Sequence, residues 1–427
     1  MKDRLPLVLN RTLGPSAIRV SNRAGMLEAI RRNSGISRAE LAEVTHLTQP
    51  AVSGIVLELM EMGLVREAGL NRSDSGRPRV RLEIVPDACF VIGVDLARSG
   101  ISASVVDLNG RLRHSLRVAS ALNQPFDVTS ARLVELLQRL FEEFGPDRDR
   151  IVGIGIGAPG PLSASTGVIL SPPNFAGWRD VPVRQLVEEQ FHLPVWIDND
   201  ANACALAEAW FGAGRALDQF VYVAVGTGVG AGVVVNGALY RGAHDMAGEV
   251  GHTTMNINGP RCSCGNYGCL ELYTSRPAMV GAAVGALQSG ATSLISDLVH
   301  GQWERIDIHI IGEAARQGDA LAMGLVEQLI RYLGAAVVNL INLFDPECVF
   351  LGRGVANATG DLILEPIRAI VAERAFSVAA QHVQIQMATF GNDEPVLGAA
   401  CLVLHQLFSG PERLLAPLTN RVPVPGL

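Results

Sequence analysis

The sequence predicts a mixed α/β protein with a small helical head and a larger body. Three observations predict it. Residues 22–85 contain short helical segments followed by two strand segments around a polar loop. From residue 90 onward, strands alternate with amphipathic helices. Within the body, a strand–turn–strand–hairpin–strand pattern occurs twice, which predicts two related lobes with a cleft between them.

Length and composition are typical of a folded protein of two or three domains. The chain has 427 residues, of which 48% are hydrophobic and 18% are charged. We expect no membrane span and a cytoplasmic protein, because no long apolar run is free of charges and the N-terminal segment lacks the apolar core of a signal peptide. Seven cysteines, three of them close together, favour a metal site over a disulfide framework.

The charge is divided unevenly between the two parts. Residues 1–85 carry 13 Lys and Arg against 9 Asp and Glu, whereas the remaining residues carry 22 against 33. A basic head on an acidic body indicates that the head contacts a polyanion. The excess is small, so it supports this interpretation only together with the motifs of the head.

The head is typical of a winged helix-turn-helix. Ser37 begins a short helix, with Glu40 completing a capping box, and Thr48 begins a second helix with a proline in its first turn. The second helix would lie in the major groove of DNA with its N-terminal residues toward the base edges. The DNA contacts predicted at the two helix starts are Ser37, Thr48, Gln49, Pro50, Ala51, Val52 and Ser53.

The wing is predicted from residues 64–68 and 79–85, which read as strands on either side of a loop. Arg77 and Arg79 lie on a Gly/Pro frame at its tip, where they suit phosphates or a narrow minor groove. The alternative is a solvated helical bundle with a charged loop, which binds no nucleic acid.

The body is predicted element by element from its two copies. Asn109-Gly110 and Asn236-Gly237 are each placed for a two-residue hairpin turn. An apolar helix at Leu321–Leu343 is expected to be core, with a subunit interface as the alternative. The predicted strands are Phe90–Leu96, Ile101–Asp107, residues 111–119, Ile151–Ile156, Phe220–Val225, Gly230–Val235 and Ala238–Tyr240, and a further helix is predicted at residues 127–144.

Three polar residues, Asp198, Asn199 and Asp200, follow an apolar strand and precede a helix predicted at Ala203–Phe211. An aspartate at such a junction can cap the helix. It can also accept a proton from a substrate hydroxyl. Three polar side chains exceed what a cap needs, which favours a functional role.

His252, Cys262, Cys264 and Cys269 are the most specific motif. Three sulfurs and one imidazole complete a tetrahedral zinc shell with no open position, which predicts one structural zinc ion per chain. The alternative is three ordinary thiols. Glu249 and Glu271 flank the motif, so the metal would hold two carboxylates near one another, where they suit sugar hydroxyls.

Glycine-rich turns give a weaker signal. Gly157–Pro161 follows a buried strand, Gly226–Gly230 lies between two strands, and Gly352-Arg353-Gly354 follows another strand. Their backbone amides can cradle a ligand or phosphates, or the glycines simply allow tight turns.

Taken together, these motifs resemble the ROK family of sugar kinases and sugar-responsive repressors, over residues 22 to about 410. The resemblance is carried by Asp198–Asn202, by Glu249-Val-Gly-His252, and by the three cysteines with Glu271. It implies a duplicated actin/hexokinase-like (ASKHA) body, and the head resembles that of the repressors. It also implies sugar contacts from Asn174, Asn199, Asp200, Glu249, His252 and Glu271.

The resemblance breaks at the first phosphate loop. The kinases carry Asp-x-Gly-Gly-Thr there, whereas this chain has Asp95-Leu-Ala-Arg-Ser-Gly100. Side chains then stand where backbone amides would approach ATP, and phosphoryl transfer depends on such positioning. Asp200 matches the catalytic base of the kinases, and Arg353 stands where they usually have glycine. We therefore expect no catalysis.

The sequence predicts a transcriptional repressor of carbohydrate genes, whose affinity for operator DNA changes when a monosaccharide occupies the cleft. A homodimer or homotetramer is expected. The alternatives are an ATP-dependent sugar kinase with an added head, and a DNA-binding scaffold with a vestigial sugar site. The predicted boundaries are 1–85 for the head, 86–205 for the first lobe with helix 395–409, 206–394 for the second lobe, and 410–427 for a loosely packed tail.

Overall fold

The computed structural model describes residues 15–71, 79–98, 100–119, 126–172 and 178–419. The chain forms two compact units. One contains the described residues up to Cys89, together with Asp107–Asn109 and the chain from Leu404 onward. The other contains Phe90–Val106 and Gly110–Val403.

The first unit has the winged helix-turn-helix fold predicted from the sequence. A three-stranded antiparallel sheet, in the order β1-β3-β2, packs with three helices. The elements are α1 (Pro15–Arg32), β1 (Ile36–Ser37), α2 (Arg38–Thr45), α3 (Gln49–Glu61), β2 (Val65–Asn71) and β3 (Arg79–Ile84).

The predicted helix starts are found at α2 and α3. The Ser37 hydroxyl accepts from the Glu40 backbone N–H, and the Glu40 carboxylate accepts from the Ser37 backbone N–H at 2.8 Å, which completes the capping box. His46, with φ of 57°, ends α2 in the left-handed conformation. Thr48 occupies the N-cap of α3, although its hydroxyl makes no capping hydrogen bond.

The second unit contains two sheets with the same connectivity, so the predicted duplication is confirmed. The strand order is β10-β7-β4-β5-β6 in the first lobe. The elements of this lobe are β4 (Phe90–Ala97), β5 (Gly100–Val106), β6 (Leu112–Val118), α4 (Phe126–Phe144), β7 (Ile151–Ala158), β8 (Leu162–Ser163), β9 (Val168–Ile169), α5 (Val183–Phe191), β10 (Val195–Asn199) and α6 (Asp200–Trp210).

In the second lobe the strand order is β13-β12-β11-β14-β15. As in the first lobe, the leading strand pairs antiparallel with the next strand and parallel with the one after the crossover. The elements are β11 (Phe220–Val225), β12 (Val229–Val235), β13 (Ala238–Leu239), α7 (Glu271–Thr274), α8 (Arg276–Gln288), α9 (Leu294–Leu298), α10 (Ile308–Arg316), α11 (Ala320–Phe344), β14 (Cys348–Gly352), α12 (Arg353–Arg374), α13 (Ser377–His382) and β15 (Gln384–Met387). Helix α14 (Glu394–Ser409) follows the last strand of this lobe in the chain.

The two predicted hairpin turns differ in the structure. Asn236 and Gly237 both take positive φ, 54° and 72°, as a type I′ turn requires. At the first hairpin Gly110 has φ of 78°, and the Asp107 carboxylate accepts from the Asn109 backbone N–H at 2.9 Å. The predicted hairpin is present, with β5 and β6 paired antiparallel, but its turn is stabilised by a side chain and only Gly110 of the pair has positive φ.

Helix α11 lies in the core of the second lobe, as expected. Leu329, Leu333 and Val337 along one of its faces are fully buried. Among the described helices, α11 is long and apolar enough to cross a membrane by length and composition, and half of that apolar stretch is buried inside the protein.

Helix α14 packs its backbone directly on the first sheet. A Cβ at Gly93 on β4 would lie 2.0 Å from the Val396 carbonyl oxygen, and one at Gly155 on β7 would lie 1.9 Å from that of Ala399. Glycine is therefore required at both positions. The contact brings the N-terminal part of α14 into the first lobe, where the sequence placed it.

The segment after Ser409 differs from the loosely packed tail expected. Residues Pro411–Thr419 form a helix, α15. The Arg23 guanidinium pairs with Glu412 at 3.0 Å, and Leu415 is buried. A run that begins with proline and glutamate has a good helix start, which the proline-rich composition of the whole tail obscured.

Candidate functional site

The ends of strands from both lobes enclose a cleft in the second unit. Its walls are the end of β4, the loop after β7, the start of α6, the β11–β12 turn and the start of α12. Five of the six predicted sugar contacts line this cleft, namely Asn199, Asp200, Glu249, His252 and Glu271. The sixth, Asn174, lies outside the described residues.

Asn199 and Asp200 stand at the strand-to-helix junction. Helix α6 begins at Asp200, three residues earlier than predicted, because the Asn199 side chain caps it by accepting from the Ala201 backbone N–H at 2.9 Å. The neighbouring Asp198 is buried, and its carboxylate accepts from Arg241 at 2.7 Å and from Asn202 at 2.8 Å. Asn199 therefore caps α6, the hydrogen bonds of Asp198 stabilise the strand-to-helix junction, and Asp200 lines the cleft.

Glu249 and Glu271 bring two carboxylates into the same cleft. Burial raises the pKa of Glu249, the nearby His252 opposes this shift, and the charges of Asp200 and Glu271 add to it. The Glu271 carboxylate accepts from the Val229 backbone N–H at 3.0 Å, which fixes it beside the β11–β12 turn. A Cβ at Gly160 would lie 3.1 Å from both Asn199 and Glu249, so glycine leaves room for the two polar groups.

The four predicted metal ligands converge at one edge of the cleft. The ligand atoms of His252, Cys262, Cys264 and Cys269 all lie within 4.8 Å of one another. The His252 Nδ1 is 3.7 Å from the Cys262 Sγ, and the Cys264 and Cys269 Sγ atoms are also 3.7 Å apart. Ligand atoms around a tetrahedral zinc ion lie about 3.5–3.8 Å from one another. The cluster could therefore hold a metal ion.

Arg353 joins the cleft from the first residue of α12. Its guanidinium donates to the Asp95 carboxylate at 3.3 Å and to the Asp200 carboxylate at 3.0 Å. Burial raises the pKa of Asp95, whereas the Arg353 charge lowers it and the Asp200 charge raises it. One arginine thus links Asp95, on the first lobe, to the start of α12, on the second.

Comparison with known proteins decides the family. The ROK family profile matches residues 91–406, about three quarters of the chain. The chain belongs to the ROK family. The same search matches residues 23–66 to a winged helix-turn-helix DNA-binding domain.

Two proteins that match more than 90% of the chain are described as a repressor and as a transcriptional regulator. The chain is 33% identical over 395 residues to the xylose repressor of Caldicellulosiruptor bescii, covering 92% of this chain and 97% of the relative. It is also similar to a crystal structure described as a ROK family transcriptional regulator, a homologue of the E. coli Mlc protein, with a TM-score of 0.79 and 29% identity. That match covers 94% of this chain and 99% of the other.

ROK kinases match the body alone. The glucokinase of Streptomyces griseus, solved with glucose and AMPPNP, has a TM-score of 0.67 and 34% identity. The match covers 73% of this chain and 98% of the kinase. The ROK body is therefore shared with the kinases, and the winged helix-turn-helix is shared with the regulators.

The predicted DNA contacts fall into three groups in the structure. Thr48, Gln49, Pro50 and Ala51 are exposed at the start of α3, and Ser53 is half-buried. Val52 is fully buried and packs in the core of the head, so the prediction that it faces DNA is wrong. Ser37 is 4% exposed, and its hydroxyl is engaged in the capping box, which leaves it little surface for DNA.

The two wing arginines are placed differently. Arg79 is exposed at the start of β3, 3.5 Å from Glu40. Arg77 lies outside the described residues. The exposed start of α3 and Arg79 are therefore the parts of the head where residues predicted to contact DNA are accessible.

Sequence analysis missed the link between Asp95, Asp200 and Arg353. The sequence shows Asp95 only as the first residue of the altered phosphate loop, and Arg353 only as an arginine where the kinases usually have glycine. The two residues are 258 positions apart in the sequence, so no local pattern pairs them. The available signal was electrostatic, because a strand that ends in a buried carboxylate requires a cation from elsewhere in the fold.

Proposed function

We propose that this ROK protein is a transcriptional repressor that releases operator DNA when a monosaccharide binds in the interlobe cleft. The observation that carries the proposal is the combination in one chain of a winged helix-turn-helix and a cleft lined by Asn199, Asp200, Glu249, His252 and Glu271. Full-length similarity to a xylose repressor supports it and makes D-xylose the first sugar to test.

Sugar recognition in the proposal follows from the chemistry of the cleft. Carboxylates accept from sugar hydroxyls, and amide side chains both donate and accept. Asp200, Glu249 and Glu271 supply the acceptors, and Asn199 supplies the amide. Asn174 is proposed as a further contact from the resemblance alone. The site combines charged acceptors with the apolar surface of residues such as Leu96 and Val229, which suits a small ligand that has both hydroxyls and a C–H face.

Zinc is the proposed metal of the His252 cluster. Three thiolates and one imidazole are ligands that zinc prefers, and four protein ligands leave no position for chemistry. Metal at Nδ1 leaves the other ring nitrogen of His252 protonated, as a donor toward the cleft. The zinc would thus hold His252 and the segment between Glu249 and Glu271 in place, as a structural element of the sugar site.

DNA recognition is proposed for the start of α3 and the wing. Thr48, Gln49, Ala51 and Ser53 would face the base edges, with Pro50 in the first turn, and Arg79 with Arg77 would contact the backbone. Two heads are expected on each operator, because one head reads too short a site for genomic specificity. We therefore propose a homodimer or a homotetramer, acting in the cytoplasm where the chromosome is.

Loss of kinase activity is also part of the proposal. Ala97 and Arg98 line the cleft where the kinases have a glycine pair, and the Arg353 guanidinium pairs with Asp200, the position of the kinase base. A carboxylate oxygen that already accepts from a guanidinium is less available to a sugar hydroxyl. The rival function is a sugar kinase with an added head, which the body's similarity to glucokinase favours.

The test is operator release measured by fluorescence anisotropy at fixed salt. DNA from upstream of the protein's own gene is titrated with the full-length protein, then with D-xylose, D-glucose and N-acetylglucosamine. We expect one sugar to release the DNA at micromolar to millimolar concentration. Specific DNA binding that every sugar leaves unchanged contradicts a sensor, and sugar-dependent ADP formation from ATP would establish the kinase instead.

A further inference from the structure

Arg353 occupies a place in the fold that links the two lobes across the cleft. Asp95 lies on β4 of the first lobe, Asp200 is the first residue of α6, and Arg353 is the first residue of α12 in the second lobe. The side chains of Asp95 and Arg353 are 13% and 15% exposed, and that of Asp200 is 29% exposed. The arrangement is largely shielded from water, so its charges interact strongly.

The backbone at Arg353 is unfavourable for an arginine. Its φ is 71°, in the left-handed region that favours glycine. The preceding Gly352 is packed against Tyr222, since a Cβ there would lie 2.0 Å from the Tyr222 hydroxyl. This packing holds the backbone in place, and Arg353 occupies the left-handed conformation although it is unfavourable for a residue with a side chain. Such strained positions cluster at functional sites.

Arg353 also balances the charge of the cleft. With the arginine, the group holds two carboxylates and one cation; without it, Asp95 and Asp200 would face each other unpaired. Asp95 is poorly solvated, because burial raises its pKa; the Arg353 charge is the largest influence that opposes this shift, and the Arg117 charge opposes it to a smaller extent. Removal of the guanidinium would therefore leave the Asp200 carboxylate without the group that orients it.

Arg353 lines two cavities at once. It belongs to the wall of the interlobe cleft together with Asp200, and to a second cavity together with Asp95 and Arg117. Its guanidinium pairs with Asp200, which lines the interlobe cleft, and with Asp95, which lines the second cavity. The Asp200 carboxylate, which is proposed to accept from a sugar hydroxyl, is thus tied to the second lobe through the Arg353 guanidinium.

We propose that Arg353, on the second lobe, is a positioning residue of the sugar site: its pairing with Asp95 and Asp200 of the first lobe holds the Asp200 carboxylate toward the sugar. The inference rests on the proposed function, because a positioning role requires that the cleft binds sugar. Arg353 lies outside the sequence motifs of the sugar site. The inference is that it nevertheless controls the affinity for the sugar.

The test is a double-mutant cycle read by isothermal titration of full-length protein with D-xylose and D-glucose. The variants are Arg353→Gln, Arg353→Lys, Asp95→Asn and the double variant Asp95→Asn with Arg353→Gln. Arg374→Gln, at the exposed far end of the same helix, is the matched control. Circular dichroism melts and operator binding verify that each variant is folded.

We expect Arg353→Gln to weaken sugar binding by at least about tenfold, and Arg353→Lys to be intermediate, since an ammonium lacks the forked geometry. The double variant should recover to within about threefold of Asp95→Asn, because it removes one negative and one positive charge together. A merely structural arginine would show no such rescue. Arg374→Gln should bind as the wild type does.

Two failures are distinguishable. If the wild type binds sugar and Arg353→Gln binds it equally well, or if Asp95→Asn gives no rescue, the role of Arg353 is overturned and the sensor stands. If the wild type binds neither sugar and no sugar releases operator DNA, the proposed function fails and the inference fails with it. Should Arg353→Gln not fold, the comparison of Asp95→Asn with the double variant and with Arg353→Lys decides.

Discussion

At the scale of single residues, Glu394 is a buried carboxyl whose environment makes a definite prediction about pH. It lies at the start of α14, accepts from the Tyr222 hydroxyl, and burial raises its pKa to about 8. The neighbouring Glu208 is buried as well and adds to the shift. Near neutral pH the folded protein therefore keeps a proton on Glu394 that the unfolded chain has released.

The sign of the pH dependence follows from this raised pKa. Between about pH 4.5 and pH 8 the folded state binds one proton more than the unfolded state. As the pH rises through this range, Glu394 therefore lowers the free energy of unfolding by roughly 1.4 kcal/mol per pH unit. Glu394→Gln mimics the protonated acid at every pH. We therefore expect the variant to lose this part of the pH dependence of stability and to be more stable than the wild type at pH 8. Urea unfolding at pH 5, 6.5 and 8 measures it.

The control for Glu394 is Glu327→Gln, an exposed carboxyl on α11. This variant should keep the wild-type dependence on pH. Equal slopes for Glu394→Gln and the wild type would mean that Glu394 is ionised in the folded protein.

Glu249 gives the sharpest residue-scale test of the sugar site. Hydrogen bonds to charged groups contribute about 1.5–3 kcal/mol, so Glu249→Gln should weaken sugar binding about tenfold or more. Titration calorimetry of the full-length protein measures the change. Glu313→Gln, an exposed glutamate on α10, is the matched control and should bind sugar normally. Unaltered affinity in Glu249→Gln would remove this carboxylate from the site.

At the scale of elements, the metal loop allows a test that perturbs little else. Cys264 is exposed, so Cys264→Ser removes one proposed ligand without opening a cavity in the core. We expect zinc content to fall below one ion per chain and sugar affinity to fall with it, because the loop positions His252. Elemental analysis and sugar titration are run on the same preparation. Ser263→Ala, in the same turn, should keep its zinc, and full zinc occupancy in Cys264→Ser would refute the ligand set.

Helix α3 carries the corresponding prediction for DNA. Gln49 is exposed in the first turn, and a base contact contributes about 1–3 kcal/mol of discrimination. Gln49→Ala should therefore reduce the preference for operator over random DNA about tenfold or more, with the salt dependence unchanged. Competition anisotropy at two salt concentrations measures both quantities. Glu61→Gln, at the last residue of α3, serves as control; equal loss on operator and random DNA would instead indicate a phosphate contact.

The sequence predicted those elements whose signals are local. The capping box at Ser37, the paired hairpin strands of each lobe and the spacing of His252 with three cysteines are short-range patterns, and the structure contains each of them. The start of α6 was misplaced by three residues because Asn199 serves both as the last residue of β10 and as the helix cap. Val52 was misplaced because helix periodicity alone did not show which side of α3 meets the core.

What the sequence did not predict depends on long-range packing. The Arg353 ion pairs join three strand or helix ends, and their geometry exists only after both lobes have folded. The raised pKa of Glu394 likewise requires Tyr222 and Glu208 to be buried beside it. Neither the ion pairs nor the pKa shift can be predicted from the spacing of residues in the sequence, because desolvation is a property of the folded interior.

At the scale of the whole molecule, the chain joins a ROK body to a DNA-binding head, and the proposed response requires the two to be coupled. A sugar that binds the DNA-free state about 100-fold more tightly supplies about 2.7 kcal/mol of bias, which is enough when operator occupancy is marginal. The coupling is reciprocal, so operator DNA must weaken sugar binding by the same factor.

Operator spacing tests whether two heads act together. Half-sites read by a dimer lie about one helical turn apart, or a multiple of it, on one face of the duplex. Insertion of about 5 bp between the half-sites rotates one of them by roughly half a turn and should abolish high-affinity binding, whereas insertion of about 10 bp restores the face and should recover part of it. Anisotropy with the three duplexes, together with light scattering to count subunits, measures the effect. Equal affinity for all three duplexes would mean that each head binds independently, and release by sugar would then have to act on the head itself instead of on the spacing between heads.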